Sequence, residues 1–162
     1  MKRQTVGTHK KAIIFPLAGK SVQGYINPGE LGRSDQIELL STDGEYVNLE
    51  LAKIKTIHFV REFTAQQPLE RKTFLSRPKL EGLWVRCLFR DQDAIEGIIA
   101  NNLVEIAERG VRLTPPDLHG NTLWIFIPSS ALAEVTVLGV VGIARRRKPA
   151  AAADRQPKLF DE

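Results

Sequence analysis

A single cysteine, Cys87, stands among 162 residues, so no disulfide can form within the chain and no all-cysteine zinc site can be built. Histidine is almost as scarce. His9 lies in a basic arm, His58 in the polar phase of a strand-like run, and His119 in a turn-rich loop, and that scatter suggests no metal triad. No Gly-rich phosphate loop follows a strand and opens a helix, and no metal or cofactor is expected. Long apolar runs are missing too. The longest, Val135 to Ile143, is interrupted by Thr136 and is far shorter than the roughly 20 residues of a spanning helix. Residues 1–11 carry Lys2, Arg3, Lys10 and Lys11 without the apolar segment of a secretory signal. These absences lead to the expectation of a cytoplasmic chain with no membrane partner. Helical spacing is nearly absent as well, which leaves strands as the building material.

What is present is enough apolar residue to bury a core, 43% hydrophobic against 26% charged. The net charge of +4 is unevenly spread. Residues 1–11 hold four basic groups and no acidic ones. Residues 144–162 hold six basic groups (Arg145, Arg146, Arg147, Lys148, Arg155, Lys158) against three acidic ones, which leaves 12–143 with 13 basic and 16 acidic residues. Within that acidic body, residues 61–90 are locally basic through Arg61, Arg71, Lys72, Arg77, Lys79, Arg86 and Arg90. Basic arms on an acidic body can supply weak, salt-sensitive attraction to RNA or DNA, but no broad phosphate-binding face. The nucleic-acid candidates are therefore Arg71, Lys72, Arg77, Lys79 and the run Arg145 to Lys148.

One pattern occurs twice. Val22-Gln23-Gly24-Tyr25-Ile26 returns as Ile95-Glu96-Gly97-Ile98-Ile99, Ile37-Glu38-Leu39 as Val111-Arg112-Leu113, and Asn48 to Phe59 as Phe126 to Val137. The offset drifts from 73 to 74 to 78, and the extra residues fall in Pro115 to Asn121, a run of turn formers. At the first strand the match is weak, because Ile13, Phe15 and Leu17 alternate out of phase with Leu83, Val85, Cys87 and Phe89, so a bulge or a different turn is expected there. Each copy reads as five short strands with one buried face, and five strands in so short a stretch bury a core best as a strongly bent barrel. Gly24 and Gly97 mark where the bend is cheapest. The expected architecture is all-β: a basic arm over 1–9, a first barrel over 10–62, a basic linker over 63–79 to which Phe74 and Leu75 add an edge strand, a second barrel over 80–143, and a disordered basic tail over 144–162.

These residues carry three resemblances. Gly19-x-x-Val22-x-Gly24-x-Ile26, Ile37-x-Leu39 and Ile54-x-x-Ile57-x-Phe59 resemble the five-strand Sm-like barrel, a pattern that an SH3-like barrel also fits. The resemblance implies RNA binding, although the Tyr-Lys-His run of the bacterial RNA chaperones is replaced by Leu51-Ala52-Lys53 and Ser129-Ser130-Ala131. Two linked barrels either pair internally or build a smaller ring, so a homo-oligomer is open. The whole chain resembles an uncharacterised bacterial family through Phe59 to Phe63, Arg77 to Arg86 and Thr114 to Asp117, which implies no activity. Finally, Gln156-Pro157-Lys158-Leu159-Phe160 resembles the Gln-x-x-Leu-Phe peptide that docks bacterial proteins on the DNA sliding clamp. The resemblance implies that Gln156 hydrogen-bonds at a small pocket while Leu159 and Phe160 fill an apolar one.

Catalytic groups are thin. Cys87 sits in an apolar phase and reads as core, Asp117 and His119 belong to a loop that needs them for its turns, and Asp91 and Asp93 flank a turn. The expected function is a non-enzymatic binding or adaptor protein recruited to DNA through its clamp peptide, with Sm-like RNA binding as the alternative.

Overall fold

The computed structural model describes residues 8–63, 71–102 and 109–142, and within them the chain is all-β, as expected from the alternation. Five strands make the first unit: β1 (Lys10–Pro16), β2 (Val22–Ile26), β3 (Gln36–Ser41), β4 (Tyr46–Glu50) and β5 (Ile54–Val60). Five more make the second: β6 (Gly82–Phe89), β7 (Ala94–Ile99), β8 (Gly110–Leu113), β9 (Thr122–Pro128) and β10 (Leu132–Val141). A single 3-10 turn joins the fourth strand to the fifth in both units, Leu51–Lys53 and Ser129–Ala131. All pairing is antiparallel, in a seven-stranded sheet of order β4-β3-β2-β1-β5-β9-β8 and a three-stranded sheet of order β10-β6-β7. The two sheets touch at Ile98 and Thr114, which exchange backbone hydrogen bonds of 2.9 and 2.8 Å.

The repeat extends to individual hydrogen bonds. Ala12 lies opposite Gly24 on one side and Phe59 on the other, and Val85 lies opposite Gly97 and Val137 in the same way. The N–H of Leu51 donates to the carbonyl of Asp35 at 2.8 Å, and the N–H of Ser129 donates to the carbonyl of Arg109 at the same distance. This register also corrects the phase expected for the first strand. The inward residues of β1 are Ala12 and Ile14, matching Val85 and Cys87 at the offset of 73, so no shift between the copies is needed there. Alanine is small enough that the eye passes over it as a core residue, and Ile13 and Phe15 belong to the opposite face.

Each unit wraps its own core. Ala12, Ile14, Ile26, Ile37, Leu39, Ile54, Ile57 and Phe59 fill the first, and Val85, Cys87, Ile95, Val111, Leu113, Ile125 and Ile127 fill the second. The bend that closes each unit is built at its mid-strand glycine. A Cβ on Gly24 would lie 2.6 Å from Leu39 Cδ1, and one on Gly97 would lie 2.3 Å from Leu113 Cγ, so in both units a leucine of the third strand occupies the space that a side chain would need.

Between the units the expected edge strand does not form. Residues 71–80 hold no strand; instead Phe74 packs edge-on against Trp84, with ring centroids 6.2 Å apart, and its N–H donates to Glu96 Oε1 at 3.0 Å. Leu75 points to solvent. The termini, including the arm up to residue 7 and the expected disordered tail from residue 144, lie outside the described residues.

The glycine contact yields a measurable consequence. Gly97→Ala is expected to cost about 1–3 kcal/mol in urea denaturation by overpacking. Leu113→Ala alone should cost about 2–5 kcal/mol, whereas the double variant should cost clearly less than the two combined. Additive losses would show that Leu113 does not set the requirement for glycine.

Candidate functional site

The run Ile54-Lys55-Thr56-Ile57-His58-Phe59-Val60 alternates so that Ile57 and Phe59 enter the first core while Thr56 and His58 take the other face. In a one-sided sheet that second face would be wet. Here the second unit covers it: β5 pairs with β9 as well as with β1, Phe89 and Ile95 of the second unit lie over that face, and His58 is left only 7% exposed. His58 therefore departs from its expected outward setting, and the covering residues Phe89 and Ile95 lie 31 and 37 residues further along the chain, a contact that no local pattern announces.

Around His58 the two units form a cavity of about 230 Å³ that is open to solvent. Phe15, Pro16, Phe89 and Ile95 supply apolar walls, and Thr56 and His58 supply polar surface. The His58 ring lies 4.6 Å from that of Phe15, centroid to centroid, and among the described residues it has no hydrogen-bonding or ionic partner. Burial pushes its pKa down to about 4, so the ring is neutral at physiological pH and offers the cavity one donor and one acceptor.

The rim is ionic. Lys55 Nζ lies 2.8 Å from Asp91 and 3.0 Å from Asp93, and it sits 4.8 Å from the centre of the Phe89 ring. Lys72 reaches Asp93 at 2.8 Å. Partial burial works against each charge, yet the paired lysines hold the Asp93 carboxyl down to about 2, and the two aspartates raise the Lys55 ammonium above its ordinary value. Asp91 is lowered chiefly by its hydrogen bond from Lys55. These groups neutralise one another and fix the β6–β7 turn against β5, so the rim presents a locked ion network.

A second cleft, of about 490 Å³, opens where equivalent corners of the two units meet. Asp35, Glu50, Leu51 and Ala52 come from the first and Arg109, Ser129 and Ser130 from the second. Asp35 and Arg109 occupy the same position in the two copies and form an ion pair across the junction.

Of the residues singled out in the sequence, Lys72 is in the rim network, while Arg77 donates to the carbonyl of Val140 at 2.9 Å. Arg71 and Lys79 are exposed. Cys87 is fully buried with its thiol pushed up to about 12, which makes it core and not nucleophile. Asp117 accepts a backbone bond from Gly120 at 3.3 Å, closing the turn that also carries His119. Among the described residues no three metal-ligating side chains cluster, and no helix is long and apolar enough to cross a membrane. Arg145, Arg146, Arg147, Lys148, Gln156, Leu159 and Phe160 lie outside the described residues.

His58 gives the site a pH signature. Its folded pKa is below its unfolded value near 6.5, so its contribution to stability is full above pH 6.5 and is lost as pH falls toward 4. A shift of that size corresponds to a loss of about 3 kcal/mol across the window. Equilibrium unfolding between pH 7 and 4.5 should show that loss in the native chain and a flatter profile in His58→Gln. Asp93 titrates lower and falls outside the interval.

No curated protein and no solved structure matches the chain. Residues 8–139 match a described family of unknown function, and that span runs from the start of β1 into β10, taking in both units and the cavity between them. The chain belongs to that family, DUF6982.

Proposed function

We propose that the protein is a non-enzymatic adaptor in which the joined units hold one partner and the C-terminal peptide docks on the bacterial DNA sliding clamp. The observation that carries this reading is the spacing of Gln156, Leu159 and Phe160 beyond the alanine-rich stretch 150–153. A short apolar anchor beside one hydrogen-bonding side chain suits reversible capture, since two buried side chains gain only a few kcal/mol before ordering costs. The basic run Arg145 to Lys148 then lies close in sequence to the docked peptide, where it adds attraction to DNA without sequence specificity. The inter-unit cavity fits the holding role. Its lysines and Asp93 are engaged with one another, and His58 offers an unused hydrogen-bonding edge to a compact, largely apolar group.

The strand order 4-3-2-1-5 of the first unit, matched in the second across the Ile98–Thr114 bridge, supports the Sm-like reading of the fold. The RNA-binding alternative has less support, because the cleft where the corners meet holds Arg109 in an ion pair with Asp35 beside the carboxylate of Glu50, so it offers phosphate no net positive charge.

Calorimetry with a purified bacterial sliding clamp tests the adaptor reading. The full chain should bind, Leu159→Ala with Phe160→Ala should abolish the heat, and Gln156→Ala should weaken binding by about two- to twelvefold, the equivalent of one net hydrogen bond. Unchanged binding by the double variant rejects the clamp. Tight binding of a short RNA at moderate salt by residues 10–143 would favour the alternative.

A further inference from the structure

Docking of the units buries two polar side chains that gain no partner. Thr56 and His58 are each only 7% exposed, both line the inter-unit cavity, and among the described residues neither side chain makes a hydrogen bond. Buried polar groups are almost always hydrogen-bonded, so a pair of exceptions on one wall calls for an explanation. Solvent in the open cavity meets these two groups but gains nothing from Phe15, Pro16, Phe89 and Ile95 opposite them. A ligand that bonds to the polar wall and also covers the apolar ones is favoured over water.

Charge and size narrow that ligand. Lys55 and Lys72 are matched by Asp91 and Asp93, so the rim carries no net charge and its ions are already paired. An ionised ligand would have to break those pairs or lie unpaired against apolar walls, and both are costly. The ligand group is therefore neutral. At about 230 Å³ the cavity is larger than the roughly 150 Å³ that takes up a benzene ring and smaller than the roughly 300–1,000 Å³ of sites for drug-sized molecules. It holds one substituted ring. The polar tip of that ring faces a neutral imidazole, which donates at one nitrogen and accepts at the other, and a hydroxyl, which does both. Among natural side chains tyrosine meets all these requirements, because its body is an apolar ring and its hydroxyl both donates and accepts. Phenylalanine lacks the tip, and tryptophan donates only.

A further cleft shows how the ring is carried. It measures about 460 Å³, adjoins the cavity through their common wall residue Pro16, and continues along Leu17, Val22 and Leu49 of the first unit. Leu17 and Val22 are 51% and 39% exposed, and the Leu17 N–H donates to the Lys53 carbonyl at 2.9 Å, which holds this apolar surface in place. A free ring-sized molecule in an open cavity leaves the adjoining surface uncovered. A polypeptide carrying the same ring reaches both.

We propose that the partner held by the joined units is an extended polypeptide that inserts one tyrosine side chain beside His58 and Thr56 and lays a neighbouring aliphatic side chain along Leu17 and Val22. This assignment rests on the reading of the joined units as the part that holds a partner, and it is independent of the clamp peptide.

Nuclear magnetic resonance titration of the full chain at neutral pH provides the test, with p-cresol as the tyrosine side chain, toluene as the same ring without the hydroxyl, and p-toluate as an anion of similar size. p-Cresol should shift the resonances of Thr56, His58, Phe89 and Ile95, including a ring nitrogen of His58, and bind about two- to twelvefold tighter than toluene, the equivalent of one net hydrogen bond. His58→Leu should bring the two affinities together; should that variant unfold, the His58 ring-nitrogen shift in the native chain decides the point. The capped peptide Leu-Ala-Tyr-Ala-Leu places a leucine on the same side of an extended backbone as the tyrosine in either direction. It should bind about fivefold or more tighter than p-cresol, through the added burial of one leucine after ordering costs, and lose that advantage with Leu17→Asp. Toluene binding as tightly as p-cresol, p-toluate binding more tightly, or no shift at these residues would overturn the proposal. So would a peptide no tighter than p-cresol, which assigns the cavity to a free small molecule, or binding that appears only once residues 144–162 are removed, which assigns it to the chain's own tail. If Leu159→Ala with Phe160→Ala leaves these shifts unchanged while abolishing clamp binding, the two sites are separate as proposed, and loss of the shifts in that variant would overturn their independence.

Discussion

The antiparallel seam between β5 and β9 is the contact on which the rest of the molecule depends. Without it β5 would be the edge of a small sheet, with Phe59 half-covered and Thr56 and His58 facing water. With it, β5 is buried on both faces, the first core gains Phe126, and the stacked pair Phe59 and Trp124 adds roughly 0.5–1.5 kcal/mol beyond the area it buries. The seam also draws the β8–β9 loop onto the end of β5. There the N–H of Arg61 donates to the Asn121 carbonyl at 2.9 Å, and the Asn121 side chain both accepts from the Glu62 N–H and donates to the Glu62 carbonyl. Both clefts are products of this one pairing. The units are covalently joined, so their docking is an intramolecular step with a high effective concentration and needs no large interface to be complete.

Energetically the seam carries one evident cost. His58 is taken from water without a partner among the described residues, and it remains neutral where a solvated histidine would titrate near pH 6.5. The neighbouring ion network does not offset this cost. Its members are partly exposed, and pairs of that kind contribute little to stability, because solvent screens them and ordering their side chains consumes entropy. What the network does is fix geometry. Lys55 from β5, Lys72 from the inter-unit segment and Asp93 from the β6–β7 turn are held at one point, so three separate stretches of chain agree on one wall of the cavity.

The strands and the duplication were legible in the sequence because both rest on local period and on turn residues. Alternation of apolar and polar residues marks a strand wherever one face is dry, and the drift of the offset fell in a loop rich in proline and glycine. Three features were not legible. The phase of β1 turned on Ala12, whose small side chain belongs to the core yet carries little hydrophobic signal. Phe74 looked like a strand residue by composition, but its place is set by Trp84 and Glu96, which lie ten and 22 residues further on. The burial of His58 follows from the docking of the second unit on β5, and its only local trace is that Thr56 and His58 are polar but uncharged in a run whose other residues, Lys55 apart, are apolar. A strand that is to be covered on both faces differs from a one-sided strand by very few side chains.

What the two units share and where they differ separate structure from chemistry. The shared features are geometric: the glycine that admits a leucine, the 3-10 turn before the fifth strand, and the backbone bond from that turn to the third strand. Each is needed to bend five strands round a core, and none specifies a ligand. The differing positions lie at the junction. Asp35 answers to Arg109, so duplicated corners that would repel if identical attract each other instead. Thr56 and His58 answer to Glu134 and Thr136, so a charged, solvated face on β10 corresponds to a neutral, buried one on β5. A duplicated fold with identical halves would place like charges at its own seam and leave no cavity lining distinct from its outer surface. Divergence at these few positions lets one half receive the other while the opposite ends remain exposed.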